Sequence, residues 1–249
     1  MTNPLPVTQT STFPLAELGE VQLMLSLNGQ DYKSAGSLQF EYLPSSTLSN
    51  IAPSTISANG NVEVWVTGNG LVTSESDTAL NCYFGDVSVS AKLESSDGSG
   101  DVVSCVAPAH VSGTVEVRVS VNGKDISESS VYLEYVATPE ISSIAPMYGP
   151  ITGATVVNIY GKHFRDSAMS CKFSVGSDWT DVVEMLHVTS EHAVCITPAY
   201  VGSNVMSVAS LELSINGIHY TDTGLTYEYL QLPQINSITP SLGPESGST

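Results

Sequence analysis

The sequence predicts an all-β protein made of tandem repeats, and three observations lead to this prediction. Glycine (20 residues) and proline (13 residues) are spread along the whole 249-residue chain, with Val, Thr, Ser, Ile and Tyr abundant between them. This mixture favours short strands separated by turns. Apolar residues at helical spacing are nearly absent, and the two stretches that come closest, 80–93 and 181–188, fit strands and loops better. Finally, a segment recurs at a fixed spacing, which indicates a repeat architecture.

The recurring segment is an alternating apolar strand that ends in Asn-Gly. The three Asn-Gly pairs begin at residues 28, 122 and 216, which sets a period of 94 residues, and Glu-Tyr pairs follow at 41, 134 and 228. Asn-Gly between two alternating runs predicts a β-hairpin with a type I′ turn, in which both central residues have positive φ. Each repeat is therefore expected to end in a hairpin.

A second recurring element sets the repeat boundaries. It is a short apolar strand that ends in proline, at 48–53, 141–146 and 235–240, and Gly60, Gly153 and Gly247 then mark a turn into the next strand. The register predicts two complete repeats, 44–137 and 138–231. On this interpretation residues 1–43 are the C-terminal part of one further repeat and residues 232–249 are the N-terminal part of another, so the chain is expected to be a piece of a longer array.

The charge balance excludes some classes of partner. The chain has 25 Asp and Glu against 7 Lys and Arg, a net charge of -18. Nucleic-acid binding needs clustered cations that release counterions, and anionic membranes attract basic segments, so neither partner is expected. No apolar run reaches the roughly 18 residues of a membrane-spanning helix, and residues 1–6 lack the features of a signal peptide.

The ordered motifs of both complete repeats resemble the IPT/TIG family, the immunoglobulin-like domains of plexins, related receptors and some transcription factors. The shared pattern is a proline-ended strand, Gly-x-x-h-x-h-x-Gly (h is apolar), Cys-x-Phe, Cys-x-x-Pro and Asn-Gly. The first copy has Pro53, Gly60–Gly68, Cys82–Phe84, Cys105–Pro108 and Asn122-Gly123, and the second has Pro146, Gly153–Gly161, Cys171–Phe173, Cys195–Pro198 and Asn216-Gly217. The resemblance implies a two-sheet β-sandwich of about seven strands in each domain.

The sequence departs from the family pattern at two places. Ser11 stands where the second cysteine of the leading partial domain would lie, so that domain is expected to lack a disulfide. The second complete repeat carries four extra residues near Gly202–Met206, which predicts a longer loop or a bulge there.

The four cysteines fall as one pair in each complete repeat, Cys82 with Cys105 and Cys171 with Cys195. A zinc site would need Cys-x-x-Cys or histidine at ligand spacing, and neither occurs. We expect a structural disulfide in each repeat, the alternative being buried free thiols in a reducing compartment. Because disulfides persist mainly in secreted and surface proteins, this pairing predicts an extracellular or cell-surface location.

No motif in the sequence points to catalysis, a metal or a cofactor. There is no Gly-x-Ser-x-Gly elbow, phosphate-cradling glycine loop or dinucleotide fingerprint. His187 and His192, beside Glu184 and Glu191, are interpreted as loop histidines. The segment Asp97–Asp101 looks like part of a calcium loop but lacks the remaining ligands, so a hairpin tip is the better interpretation. We expect a protein that is not an enzyme.

The two tryptophans are the candidate contact residues. If Val62, Val64 and Val66 face the core, period-2 alternation places Trp65 on the outer face of its strand. An exposed tryptophan suits a protein partner, a sugar platform or a domain contact, and packing under a neighbouring loop is the alternative. Trp179 lies in a turn and leaves the same alternatives open.

Three functions are compatible with these features. The first is an extracellular structural or adhesive rod, or filament, whose partners are other IPT/TIG domains of the same or neighbouring chains. The second is the ectodomain of a plexin-like receptor that binds a protein ligand, and the third is a carbohydrate-binding accessory module. Short proline-bearing junctions and the dearth of catalytic groups favour the first.

Overall fold

The computed structural model describes residues 18–72, 80–96, 98, 100–165, 169–186, 188–202 and 206–245, and none of them is helical. The all-β prediction is therefore confirmed. The described part of the chain starts with a two-stranded antiparallel hairpin, β1 (Gly19–Ser26) and β2 (Tyr32–Tyr42), in which Gly19 pairs with Tyr42 and Ser26 with Tyr32. Ser11, which stands where the leading partial domain would have its second cysteine, lies outside the described residues.

The described residues of the first complete repeat form eight strands. They are β3 (Thr47–Ala52), β4 (Thr55–Ser57), β5 (Val62–Asn69), β6 (Asn81–Phe84), β7 (Val87–Ser96), β8 (Asp101–Ala107), β9 (Gly113–Ser120) and β10 (Val131–Val136). Their order by hydrogen bonding is β3-β5-β8-β7-β6-β9-β10-β4, and β4 runs parallel to its neighbour, β10. The short strand β4 thus covers the edge of β10 immediately after the first proline-ended strand.

The second complete repeat follows the same plan with two separate sheets. Its strands are β11 (Glu140–Ala145), β12 (Tyr148–Pro150), β13 (Val156–Lys162), β14 (Ser170–Val175), β15 (Trp179–Glu184), β16 (His192–Ile196), β17 (Ser207–Ser214) and β18 (Tyr220–Leu230). One sheet has the order β11-β13-β16 and the other β12-β18-β17-β14-β15. This is the two-sheet sandwich that the family resemblance implied.

One strand crosses between the two layers at the same place in both repeats. In the first repeat β7 pairs with β6 at its start and with β8 further on, and the crossing is marked by the Ala91 N–H donating to the Leu80 carbonyl at 2.9 Å. In the second repeat the Met185 N–H donates to the Met169 carbonyl at 3.1 Å, and Leu186 then bridges to Val194. The crossing joins both layers through the backbone.

Of the alternating residues that the sequence assigned to the core, Val62 is half-buried and the others are buried. Val64 and Val66 of β5, and Val157 and Ile159 of β13, have no exposed surface. Burying side chains of this size typically stabilises a fold by about 1.5–3 kcal/mol each. The core of the second repeat is also rich in aromatic rings, and its buried members include Phe164, Phe173, Trp179, Tyr200, Tyr227 and Tyr229.

The Asn-Gly hairpins differ from the predicted type I′ turn. The hairpins at Asn28 and Asn216 connect their strands through a five-residue loop, as shown by the pairing of Ser26 with Tyr32 and of Ser214 with Tyr220. At Asn122 an isolated bridge between Ser120 and Ile126 closes a loop of the same length. Gly29, Gly123 and Gly217 have positive φ, whereas the preceding asparagines do not. In each loop the asparagine Oδ1 instead accepts the N–H groups two and three residues later, at 2.8–3.0 Å. The prediction of a hairpin was right and its turn type was wrong, because the asparagine side chain closes the loop.

The glycine of the Gly-x-x-h-x-h-x-Gly motif meets the Cys-x-x-Pro motif in space. Gly60 has φ +62°, and a Cβ atom there would overlap the backbone of Pro108 and Ala109. Gly153 has φ +72° and lies in the same way against Pro198 and Ala199. Only glycine tolerates both the positive φ and this close approach, which gives a physical reason for the two motifs to occur together.

Candidate interaction surfaces

Each complete repeat contains one buried disulfide. Cys82 of β6 is bonded to Cys105 of β8, and Cys171 of β14 to Cys195 of β16, with Cα atoms 6.4 and 6.5 Å apart. All four residues are buried, and the described chain has no free cysteine. In the second repeat β14 and β16 belong to different sheets, so the bond joins the two layers. The predicted pairing is present in both repeats, and closing a loop of this length typically contributes about 3 kcal/mol.

The structure corrects the expectation that Trp179 belongs to a contact surface. Trp179 is only 8% exposed. Its ring packs edge-on against Tyr200 at 5.4 Å and against Tyr229 at 5.6 Å between centroids. Because β15 begins at this residue, its side chain points into the sandwich instead of into the turn, and Trp179 is a core residue.

Trp65 lies on the outer face of β5, as the alternation predicted. The burial pattern of β5 places Val64 and Val66 inward, and the intervening Trp65 is half-buried between the exposed Glu63 and the half-buried Thr67. Its role as a contact residue stays a prediction.

Two tyrosines of the core have hydroxyl groups that resist ionisation. Burial raises the pKa of Tyr135 to about 12. Burial also raises the pKa of Tyr229 well above its ordinary value, with smaller contributions from Tyr227 and the Asp181 carboxylate. The Tyr229 hydroxyl donates to the Pro198 carbonyl at 3.0 Å, whereas the Tyr135 hydroxyl is buried with no hydrogen-bond partner among the described residues. Burial disfavours the ionised form of both groups, so both hydroxyls stay protonated at neutral pH.

The described residues bring together no cluster of three or more His, Cys, Asp or Glu side chains that could hold a metal. The Asp101 carboxylate is occupied by the Leu71 N–H at 2.8 Å and the Ser96 hydroxyl at 2.6 Å. His192 Nε2 lies 3.0 Å from Asn158 Oδ1, and its ring lies 5.2 Å from that of Tyr160. Asp97 and His187 lie outside the described residues. Asp101 and His192 therefore serve local structure.

An apolar patch on the outer face of the second repeat was missed by sequence reasoning. Tyr148 pairs with Glu228, and Glu228 pairs with Val208, so the three form one row across β12, β18 and β17. Pro150 and Leu230 pair two residues further along. Alternation makes all five point outward, because the intervening Gly149, Tyr227, Tyr229 and Ala209 face inward. We call these five residues the outer patch, in which Tyr148 is 60% and Val208 57% exposed.

The hairpin β1–β2 exposes apolar positions that are core positions in the complete repeats. Val21, Leu23 and Leu25 stand one period before Val115, Val117 and Val119. The first three are all exposed, whereas the second three are all buried. The expectation that residues 1–43 end an IPT/TIG domain stays a prediction.

None of the described segments forms a helix with the length and hydropathy needed to cross a bilayer.

The fold defines a class of protein, the tandem disulfide-bonded β-sandwich with immunoglobulin-like strand order. The IPT/TIG domain model matches residues 46–135 and 139–229, well over half of the chain, and the chain belongs to this family. Both matched ranges fall inside the two repeats predicted from the period.

Similar proteins include two large human ones. Human Fibrocystin-L is 26% identical over 239 residues, covering 95% of this chain and 5% of that protein. Human Plexin-A2 is 28% identical over 111 residues, covering 45% of this chain and 6% of that protein. The chain thus spans only a small part of the length of these relatives. Among solved structures, the Plexin A4 extracellular region matches 87% of this chain and 18% of its own, with 17% identity and a TM-score of 0.48.

Proposed function

We propose that this chain is a segment of an extracellular array of IPT/TIG domains that serves as a structural or adhesive scaffold through protein–protein contacts. The observation that carries the proposal is the buried disulfide at the same place in both complete repeats. Disulfides persist in oxidising compartments, which supports an extracellular or cell-surface location. The dearth of metal-ligand clusters in the described chain and the family membership support a contact role over a catalytic one.

A receptor ectodomain that binds a protein ligand is the second candidate function. The similarity to Plexin-A2 favours it. A carbohydrate-binding accessory role loses support, because Trp179 is buried and only Trp65 is left of the two candidate aromatic platforms. Transcription-factor use of the fold is disfavoured by the net charge of -18 and by the disulfides.

The test of the extracellular proposal is surface labelling of the source cells with an antibody raised against residues 44–231. The proposal predicts labelling of intact cells or recovery of the antigen from the medium. Labelling that requires permeabilisation, with no antigen in the medium, would contradict it. An antibody against a cytoplasmic protein of the same cells serves as the control for membrane integrity.

A further inference from the structure

The outer patch is a feature of the second repeat and is not required by the fold. Tyr148, Pro150 and Val208 occupy the positions that Thr55, Ser57 and Thr114 hold in the first repeat. Two threonines and a serine are thus replaced by a tyrosine, a proline and a valine around a glutamate that both repeats share, Glu134 in the first and Glu228 in the second. Because the first repeat builds the same strands with the polar set, the strand plan does not require the apolar set, and an exposed apolar patch suits a contact.

The central glutamate of the patch would need a cation from any surface that covered it. Glu228 is half-buried between the side chains of Tyr148 and Val208 on the two neighbouring strands. None of the ion pairs found among the described residues includes its carboxylate. A surface that covered the apolar residues would remove water from this charge, which is strongly unfavourable unless that surface brings a positive group. The patch therefore fits an apolar surface with one Lys or Arg.

The first repeat of this same chain presents such a surface at the tip of its Asn-Gly hairpin. Lys124 and Ile126 are both exposed there, Ile126 by 47%. The adjacent Asp125 carboxylate accepts the Asn122 side-chain amide at 2.8 Å. Lys124 takes part in none of the ion pairs found in the described chain. The tip thus offers an ammonium group beside an exposed aliphatic side chain, the complement of Glu228 and its neighbours.

We propose that the outer patch of one molecule binds the hairpin tip at Lys124 and Ile126 of a second copy. The inference rests on the proposed scaffold function and names one contact through which the scaffold would assemble. The two surfaces are different, so the contact is heterologous, and the resulting dimer keeps one unused patch and one unused tip. Such a contact extends into open chains unless its rotation closes a ring. The net charge of -18 opposes association at low salt, and screening within about 8 Å at physiological ionic strength reduces this repulsion.

The experiment is sedimentation velocity of the oxidised chain at increasing concentration in physiological salt. The proposal predicts an average mass that rises with concentration beyond that of a dimer. Glu228→Lys and Lys124→Glu should each weaken association about tenfold or more, because each places like charges together. Val208→Thr, which restores the residue of the first repeat, should also weaken association. Val182→Thr is the matched control: Val182 is similarly exposed on β15, outside the patch, and its replacement should change nothing.

Mixing the two charge variants decides between this contact and any other. The ammonium group introduced by Glu228→Lys can pair with the carboxylate introduced by Lys124→Glu, and the unaltered Glu228 and Lys124 of the two variants can pair as in wild type. An equimolar mixture should therefore associate with the variants alternating, and about tenfold or more strongly than either variant alone. The double variant should form chains again, because its two charges are exchanged.

Several outcomes would overturn the proposal. A wild-type chain that stays monomeric up to about 1 mM has no contact of useful affinity. Charge variants that associate like wild type, or that fail to recover on mixing, would place the contact elsewhere. These results leave the cell-surface test untouched, so the two proposals can fail separately.

Discussion

The Tyr227 hydroxyl occupies the space that a side chain on Gly149 would need. A Cβ atom on Gly149 would overlap this hydroxyl and crowd the Thr155 hydroxyl. In the first complete repeat the equivalent positions hold Ile56 and Leu133, both fully buried. The two repeats therefore fill the same part of the core in two ways, either with a glycine and a tyrosine or with an isoleucine and a leucine. A tyrosine at the Leu133 position would lack room beside Ile56, and a leucine at the Tyr227 position would leave space beside Gly149.

This relationship predicts a compensating pair of substitutions. Gly149→Ile should destabilise the second repeat by about 1–3 kcal/mol through overpacking, and Tyr227→Leu should destabilise it by leaving a cavity. The double variant should recover at least about 1 kcal/mol of the summed loss, because the pair then matches the first repeat. Urea unfolding in a Trp65→Phe background measures this, since Trp179 is then the only tryptophan. Strictly additive losses would contradict the interpretation.

Removal of the second disulfide should cost about 3 kcal/mol. The Cys171→Ala/Cys195→Ala variant loses the bond between β14 and β16, and the unfolded chain gains the freedom that the closed loop removed. The measurement is again the Trp179 transition in urea. Adding reductant to the wild-type protein should produce a loss of similar size. An unchanged transition midpoint in the variant would show that the bond does not stabilise this repeat.

Stability should fall at alkaline pH because of Tyr135. Its pKa is raised from 10.0 in the unfolded chain to about 12 in the folded one, so its contribution is fully present below pH 10. Above that pH the unfolded chain releases the proton while the folded chain retains it, and the contribution is lost as the pH rises from 10 to about 12. Tyr135→Phe should therefore flatten the decline over this range. Equal slopes for wild type and variant, measured by urea unfolding at each pH, would refute the assignment.

The hairpin loops should depend on the asparagine acceptor and on the positive φ of the glycine. Asn122→Ala removes the acceptor for the N–H groups of Lys124 and Asp125 and should cost about 1–2 kcal/mol. Gly123→Ala should cost about 1 kcal/mol, because φ is +72° there. Thermal unfolding measures both effects. Asn122→Asp keeps the acceptor but faces the Asp125 carboxylate, so it should fall between Asn122→Ala and wild type.

Much of the fold was predictable because it repeats. The 94-residue period indicated the strand plan, the core alternation at Val64 and Val66, and the cysteine pairs, since each feature occurs twice in the same order. The turn type was not predictable from the Asn-Gly pair. That pair is typical of a two-residue type I′ turn, whereas here the Asn122 side chain closes a five-residue loop. Local sequence also misplaced Trp179, whose burial depends on Tyr200 and Tyr229 from distant parts of the repeat.

The outer patch could have been found only by comparing the repeats with each other. Val208 lies far in sequence from Tyr148 and Pro150, and they meet because β12 runs parallel to β18 while β17 runs antiparallel to it. The signal was present in the alignment of the two repeats, as small hydroxyl residues in one copy and larger, more apolar residues in the other. Strand order was needed to show that these differences share one face.

The central claim is that each complete repeat is closed by its own disulfide in an oxidising compartment. The most direct measurement is mass-spectrometric mapping of peptides from protein isolated from its source, alkylated while denatured and unreduced. The account predicts no alkylated cysteine and two linked pairs, Cys82 with Cys105 and Cys171 with Cys195. Four alkylated cysteines, or links that cross between the repeats, would contradict it.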